Sequence, residues 1–202
     1  MKKVITLSRQ FGSGGAEIGR KLAEKLGIDF YDRHVIEQAA QKSGISMEHF
    51  ERADERRTNS FLYSLVNAHY AGAAAPVQLS DIITDDKLFI YTAETVKEMA
   101  KKPCVIVGRC ADDILRDEDI LRVFVYADLG YRIARVCEAF DLNEKAAATL
   151  IKKTDKKRAN YYNFYTSKNW GEAVNYDICI NSAKLGSDGT VGALESFIRA
   201  CN

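Results

Sequence analysis

The chain has 202 residues, 47% of them hydrophobic, and this length and composition fit one domain with a buried core of ordinary size. Its 29 Lys and Arg residues nearly balance 28 Asp and Glu residues, and the formal net charge of +1 argues against nucleic acid or a membrane surface as a partner. Because no apolar run approaches the roughly eighteen residues of a membrane span, we expect a cytoplasmic protein.

Five apolar segments of strand length alternate with helical patterns along the chain. The strands are predicted at residues 4–7, 28–31, 104–107, 121–126 and 176–180. After the first strand, Ile18, Leu22 and Leu26 repeat every four residues, and Gly27 then marks the end of a helix. Further helices are predicted at about 33–42, 91–101, 131–140, 143–162 and 190–200. This alternation predicts an α/β fold, with a parallel sheet covered by helices on both faces.

The pattern weakens between about residues 45 and 85. A charged stretch, ERADERR, precedes an apolar one, FLYSLV, and a run of small residues, AGAAAP. We expect this part to be an insertion made of helices and a connecting segment. No internal repeat or low-complexity linker divides the chain, so residues 1–202 are expected to form a single domain.

A glycine-rich turn joins the first strand to the first helix, in the stretch SRQFGSGGAEIG, and we call its residues 10–15 the glycine loop. Unpaired N–H groups at the start of a helix attract anions, and glycines let the oxygens of an anion approach the backbone. The expected phosphate-binding residues are Gly12, Ser13, Gly14 and Gly15. The alternative is a simple turn without a ligand.

The glycine loop departs from the phosphate-binding pattern G-x-x-x-x-G-K-[ST]. Gly14 matches the second glycine, but Arg9 replaces the first, Gly15 the lysine, and Ala16 the hydroxyl residue that would bind magnesium. An arginine can donate two parallel hydrogen bonds to an oxyanion, so we expect Arg9 to supply part of the missing charge. Ser13 is the substitute hydroxyl for the metal.

A dinucleotide-binding fingerprint is a second interpretation of the same loop. Gly12 and Gly14 match its first two glycines, and Asp32 lies about 20 residues further on, at the distance expected of an acid that binds ribose. Glu17 departs from the fingerprint, which has a small residue at that position. This interpretation stays open at the level of the sequence.

Three further segments, taken in order with the glycine loop, resemble one family. They are FYDRHVI after the second strand, CVIVGRCADDIL near residue 104, and DKKRANYY near residue 155. The chain resembles the cytidylate kinase-like branch of the P-loop nucleoside monophosphate kinases nearly from end to end, least so over residues 45–85. The resemblance implies a P-loop NTPase-type three-layer α/β/α fold with a five-stranded parallel sheet. It also implies a helical acceptor-binding insertion and a basic helical lid at about 140–170.

The resemblance also implies roles for individual residues. The expected acceptor-binding residues are Asp32, Arg33, Arg109, Asp112 and Asp155. The expected catalytic cations are Arg9, Arg132, Arg135 and Arg158. The family pattern has an aspartate after the arginine of its Gly-Arg pair, whereas this chain has Cys110, and an earlier lid arginine falls on Ile151, beside Lys152.

Ordinary structural roles are the alternatives for several of these cations. Residues 132–168 contain nine Lys or Arg and four Asp or Glu, and most of the lysines there fit a solvated helix face. Arg109 follows an apolar strand, where open α/β sheets bind ligands, and the alternative is a surface ion pair with Asp112 or Asp113.

The function implied is phosphoryl transfer from ATP to a nucleoside monophosphate such as CMP, or to a related small acceptor. Mg²⁺ would arrive with ATP, and the partners would be nucleotide substrates, with the protein a monomer or a homodimer. Because the lysine and the hydroxyl residue are replaced, a nucleotide- or anion-binding regulator without turnover is the alternative. The five cysteines and three histidines show no metal-ligand spacing, so we expect no metal held by the protein itself.

Overall fold

This computed structural model describes residues 4–45 and 79–201, and for residues 79–85 it describes the backbone alone. The described residues contain five strands, seven α-helices and a short 3-10 helix at Ala173–Asn175. The strands are β1 (Val4–Arg9), β2 (Asp29–Tyr31), β3 (Cys104–Val107), β4 (Ile120–Tyr126) and β5 (Ile178–Asn181). The helices are α1 (Gly15–Leu26), α2 (His34–Ser43), α3 (Leu79–Met99), α4 (Ala111–Ile114), α5 (Leu129–Phe140), α6 (Glu144–Thr166) and α7 (Ser182–Ala200).

All five strands are parallel and lie in the order β2-β3-β1-β4-β5. The predicted five-stranded parallel sheet is therefore confirmed. β1 is central, with Thr6 paired to Ile106 of β3 on one side and to Arg122 of β4 on the other. The segments that follow β1 and β3 consequently leave the sheet side by side at its carboxyl edge, where open α/β sheets bind their ligands.

Helices cover both faces of the sheet, which confirms the three-layer arrangement. On one face, Ile18 and Leu22 of α1 and Leu194 of α7 pack against inward side chains of β1, β3 and β4. On the other face, Val96 of α3 and Ala111 of α4 pack against the opposite side of the same strands. Central strands that are buried on both faces are mostly apolar, which is why β3 and the first half of β1 were predictable as apolar runs.

The predicted first helix ends as expected. Gly27 adopts a left-handed conformation, φ 65°, and its N–H donates to the carbonyl of Glu24, while the N–H of Ile28 donates to that of Ala23. A glycine tolerates this conformation without a steric penalty.

Several boundaries differ from the sequence prediction, and three of them are instructive. α3 begins at Leu79, twelve residues before the predicted start at 91, because residues 79–90 mix apolar and charged residues without a clear helical period. β5 begins at Ile178, two residues late, and α7 begins at Ser182 rather than at 190. Gly186 interrupts α7 with φ 64° and ψ 178°, so the pattern predicted only the second of its two parts.

The predicted insertion at residues 45–85 lies largely outside the described residues, and its last seven residues belong to α3. The division of the chain into one domain with an insertion and a lid therefore stays a prediction. No helix in residues 4–45 and 79–201 is long and apolar enough to cross a membrane.

Candidate active site

Two neighbouring cavities lie at the carboxyl edge of the sheet and share two cationic side chains. The smaller cavity, about 300 Å³, is bordered by the glycine loop, and the larger one, about 450 Å³, by the segment after β3 and by one face of α6. Arg9 and Arg158 line both of them. These two arginines therefore stand where the contents of the two cavities would meet.

The glycine loop presents backbone N–H groups to the smaller cavity. Gly12 and Gly14 have positive φ values, 80° and 78°, and α1 begins at Gly15 without a side-chain cap. Within the described residues, the amides of Gly15 and Ala16 donate to no backbone acceptor, because the first helical bond is that from Ile18 to the carbonyl of Gly14. Unpaired amides at a helix start form an anion site.

Ser13 does not line either cavity, contrary to its predicted place in the phosphate site. Its hydroxyl is buried, and donates to the carbonyl of Gln10 at 2.8 Å. Its N–H donates to the same carbonyl at 3.3 Å, and its own carbonyl accepts from Ser182 at 2.7 Å. These bonds close the turn internally, so the Ser13 hydroxyl is not available as a metal ligand.

Arg9 occupies the space that a side chain at position 15 would need. A Cβ added to Gly15 would overlap Arg9 Cβ and lie 2.8 Å from Arg9 Cγ, and a Cβ added to Gly108 would overlap Arg9 Nη1. The guanidinium forms an ion pair with Asp32, at 3.4 Å. The arginine at position 9 and the glycine at position 15 are thus sterically linked departures from the G-x-x-x-x-G-K-[ST] pattern.

Arg135 of α5 stands beside the glycine loop. It forms a salt bridge with Glu17 of α1 at 2.8 Å, and its guanidinium lies against Gly14. Both Arg135 and Asp32 border the smaller cavity and neither borders the larger one. Asp32 was expected on the acceptor side, and the structure instead places it beside the glycine loop as the partner of Arg9.

Two predicted site residues, Asp155 and Arg132, face each other and line neither cavity. The carboxylate of Asp155 accepts from the N–H of Phe11 at 2.7 Å and from Arg132 Nη1 at 2.6 Å. Arg132 is buried, and its Nη1 also donates to the carbonyl of Phe11 at 3.3 Å. Asp155 and Arg132 face each other rather than a cavity because a buried guanidinium needs a carboxylate and a buried amide needs an acceptor.

The larger cavity is lined by cations and aromatic rings. Arg33 and Arg109 border it together with Lys157 of α6, and Tyr161 and Trp170 supply aromatic surface. Most of the α6 lysines were expected on a solvated helix face, and Lys152, Lys153 and Lys156 are exposed, whereas Lys157 is partly buried at the cavity. The α6 residues that line the cavity follow helical spacing and are Thr154, Lys157, Arg158, Tyr161 and Tyr162.

A strained turn after β3 places Arg109 and Cys110 at the cavity wall. Gly108, Arg109 and Cys110 have φ values of 76°, 59° and 55°, so three successive residues are left-handed and two of them are not glycine. Each such non-glycine residue costs on the order of 1 kcal/mol, and residues of this kind cluster at functional sites. Gly108 is the one residue of this turn whose type favours a left-handed conformation.

Asp112 is buried and does not line the larger cavity, although it was expected to bind the acceptor. It accepts a hydrogen bond from the Tyr162 hydroxyl at 2.6 Å. Burial raises the pKa of Asp112 above its usual range, and the Tyr162 hydroxyl partly opposes that rise. Its neighbour Asp113 pairs with Lys168 at 2.8 Å and with Arg116 at 3.6 Å. The pair of Asp112 and Tyr162 fastens α6 to α4.

The Asp112–Tyr162 pair predicts a pH-dependent stability defect. Tyr162→Phe removes the donor and is expected to cost about 1–3 kcal/mol near pH 7, because a buried carboxylate loses its partner. A raised folded-state pKa favours the protonated acid, so the contribution of Asp112 to stability falls as pH rises above the unfolded value near 4. Without Tyr162 this fall becomes steeper. Urea unfolding of wild type and variant at pH 4.5 and 7.5 measures the loss of unfolding free energy, which should be larger at pH 7.5. An equal loss at both pH values would contradict the prediction.

Comparison with known proteins shows the family. A model of the cytidylate kinase-like family matches residues 4–184. The chain belongs to the cytidylate kinase-like family. Among its relatives is the cytidylate kinase of Archaeoglobus fulgidus, 28% identical over 194 residues that cover 93% of this chain and 89% of the relative. The cytidylate kinase of Pyrococcus horikoshii is 25% identical over 203 residues, covering 98% and 88%.

Solved structures agree with the fold of this cytidylate kinase-like protein. An uncharacterized protein from Eubacterium ventriosum superimposes with a TM-score of 0.70 at 28% identity, covering 97% of this chain and 98% of that one. Shikimate kinase from Acinetobacter baumannii in complex with shikimate gives a TM-score of 0.55 at 14% identity, with coverage of 98% and 94%, and shows the fold alone. The dinucleotide-binding interpretation finds no support in these matches, and Asp32 is engaged by Arg9.

Proposed function

We propose that the protein is a nucleotide kinase, which transfers a phosphoryl group from ATP to a nucleoside monophosphate such as CMP or to a related small acceptor. The observation that carries this proposal is the pair of adjacent cavities that share Arg9 and Arg158. Phosphoryl transfer needs a donor and an acceptor in line, with positive charge where the transferring oxygens gather. The family membership supports this reaction class, and the names of the archaeal relatives support CMP as the first acceptor to test.

The smaller cavity would hold the phosphates of ATP. The amides of Gly15 and Ala16 would donate to the β-phosphate, and Arg135 would add charge beside them. Mg²⁺ would enter with ATP as part of the donor substrate, held by its phosphates, because Ala16 offers no oxygen ligand and the Ser13 hydroxyl is buried.

Arg9 and Arg158 would neutralise the transferring group. Both guanidinium groups stand at the junction of the cavities, where the γ-phosphoryl group would pass from donor to acceptor. Positive charge that is fixed before the reaction stabilises the transition state without reorganisation. The Arg9 side chain packs against Gly15 and Gly108, which leave room for it because they have no Cβ, and its guanidinium pairs with Asp32.

The larger cavity would hold the acceptor. Arg33, Arg109 and Lys157 would bind its phosphate, and Tyr161 and Trp170 would contact its ring. The proposal includes the further expectations that residues 45–85 complete the acceptor site and that about 140–170, which contain α6, act as a lid in one domain.

An anion- or nucleotide-binding regulator without turnover is the second candidate. The observation that favours it is the absence of both the lysine at position 15 and the hydroxyl at position 16 of the glycine loop. Such a protein would use the same amides and Arg9 to bind phosphate but would lack enough transition-state stabilisation, since each 1.4 kcal/mol or so lost is a tenfold loss in rate.

Activity and binding measured side by side separate the two candidates. A coupled assay offers MgATP with CMP, dCMP, UMP or AMP, while calorimetry measures MgATP binding to the same preparation. The kinase proposal expects ADP to form only when an acceptor is present. MgATP binding with no product from any of the four acceptors would refute a nucleoside monophosphate kinase and favour the regulator, and neither binding nor product would refute both.

Arg158→Ala is expected to lower turnover by about a hundredfold while changing the affinity for MgATP little, because Arg158 would act on the transferring group. Steady-state kinetics and calorimetry on the same variant check this. Lys156→Ala, at an exposed position of the same helix, is the matched control. Unchanged kinetics in the Arg158 variant would remove this arginine from the site.

A further inference from the structure

Two side chains of α6 bind the backbone on either side of Gln10. Asp155 accepts from the N–H of Phe11 at 2.7 Å, and Arg158 Nη1 donates to the carbonyl of Arg9 at 2.9 Å. Both bonds involve a charged side chain, and such bonds are about twice as strong as neutral ones. Residues 9–11 are therefore attached to α6 through their main chain.

The same three residues are also attached to the sheet. The N–H of Gln10 donates to the carbonyl of Val125 at 3.0 Å, and Gln10 Oε1 accepts from the N–H of Ala127 at 3.2 Å. These bonds join the start of the glycine loop to the end of β4. Residues 9–11 thus form a junction with β4 on one side and α6 on the other.

Asp155 also neutralises a buried charge at this junction. Arg132 of α5 meets the Asp155 carboxylate at 2.6 Å, and the side chains are 10% and 18% exposed. Arg132 Nε has no hydrogen-bond partner within the described residues, so the guanidinium depends heavily on this carboxylate. Removal of one partner from such a pair leaves the other charge buried and uncompensated.

We infer that Asp155 is a positioning residue, which fixes α6 to the glycine loop so that the loop amides and Arg158 keep one relative position. This inference rests on the proposed kinase function. It assigns Asp155 to the loop backbone and to Arg132, not to the acceptor. A small shift of α6 would displace Arg158 from the transferring group, and misplacement by about 1 Å can cost a hundredfold in rate.

Hydrogen exchange of the Phe11 amide tests the contact without any substrate. In Asp155→Ala the exchange of this amide is expected to accelerate at least about tenfold more than that of the Ile106 amide in β3, which reports any loss of global stability. Asp155→Asn, which retains a neutral acceptor oxygen, should give an intermediate rate and guards against misfolding of the alanine variant. Glu138→Gln, on the exposed face of α5, is the charge-matched control. An unchanged Phe11 rate in both Asp155 variants would overturn the inference.

A split between kinetic constants tests the positioning role. Asp155→Ala is expected to lower kcat by about tenfold or more, with the KM for the acceptor changed less than about threefold, and Asp155→Asn should recover part of kcat. A rise in the acceptor KM at constant kcat would place Asp155 on the acceptor and overturn the inference. If wild type shows no turnover, the proposed function fails. The exchange of Phe11 and the effect of Asp155→Ala on MgATP binding then decide whether the link between α6 and the loop exists.

Discussion

Gly15→Lys is expected to destabilise the protein and to weaken nucleotide binding, although it restores the residue that the pattern G-x-x-x-x-G-K-[ST] requires. A Cβ at position 15 would overlap Arg9 Cβ, and both atoms are fixed by backbone in regular structure, since Arg9 pairs with Val125 in the sheet. Overpacking of this kind costs about 1–3 kcal/mol, and more where neither side can move. Urea unfolding and MgATP calorimetry measure both effects.

Two further variants make this test specific. Gly192→Lys places the same side chain on α7 where a Cβ meets no atom within 4 Å, and it should cost far less stability. Arg9→Gly combined with Gly15→Lys removes the overlap and is expected to regain most of the lost stability, with MgATP binding restored through the lysine. If Gly15→Lys alone is as stable as Gly192→Lys, the steric link between positions 9 and 15 is absent.

Arg9→Ala is expected to lower turnover by about a thousandfold, because it removes one of the two arginines that line both cavities. MgATP affinity should fall as well, since Arg9 would touch donor phosphates. Folding should persist, because the side chain stands at the cavity wall and the backbone of β1 keeps its ladder. Circular dichroism measures folding, calorimetry measures MgATP affinity and steady-state kinetics measure turnover, all on one preparation.

Arg20→Ala is the matched control, because Arg20 is an exposed arginine on α1, close in sequence to the glycine loop. It should leave turnover and affinity near wild type. An Arg9→Ala variant that unfolds would show that Arg9 is structural, and one with wild-type kinetics would show that the missing lysine has no substitute at position 9.

The sheet was predictable because its strands are buried on both faces. Such strands have to be apolar at successive positions, so Cys104–Val107 was predicted at its observed bounds. α3 was harder, because its early part around Asp85 and Asp86 carries no clear helical period. The break at Gly186 also left no trace in the apolar pattern, since its conformation depends on neighbouring backbone rather than on periodicity.

The site was predictable in its residue types but not in its pairings. Arg9 ends β1, the glycine loop follows it and Arg109 comes shortly after β3, and parallel strands bring their carboxyl ends to one edge. Sequence spacing placed Asp155 and Arg158 on one face of α6, but it did not say that Asp155 would meet Phe11 and Arg132. Partners that are 23 to 144 residues apart in sequence are set by packing, which spacing does not report.

Amide resonances measured during a titration with MgATP test most directly whether the amides of Gly15 and Ala16 bind phosphate together with Arg9. We predict saturable shifts of the Gly14, Gly15 and Ala16 resonances in wild type. Arg9→Ala should need markedly more MgATP to reach saturation, and Arg20→Ala should saturate as wild type does. Saturable binding of MgATP that leaves these amides unshifted, with the largest shifts elsewhere in the protein, would contradict phosphate binding by these amides.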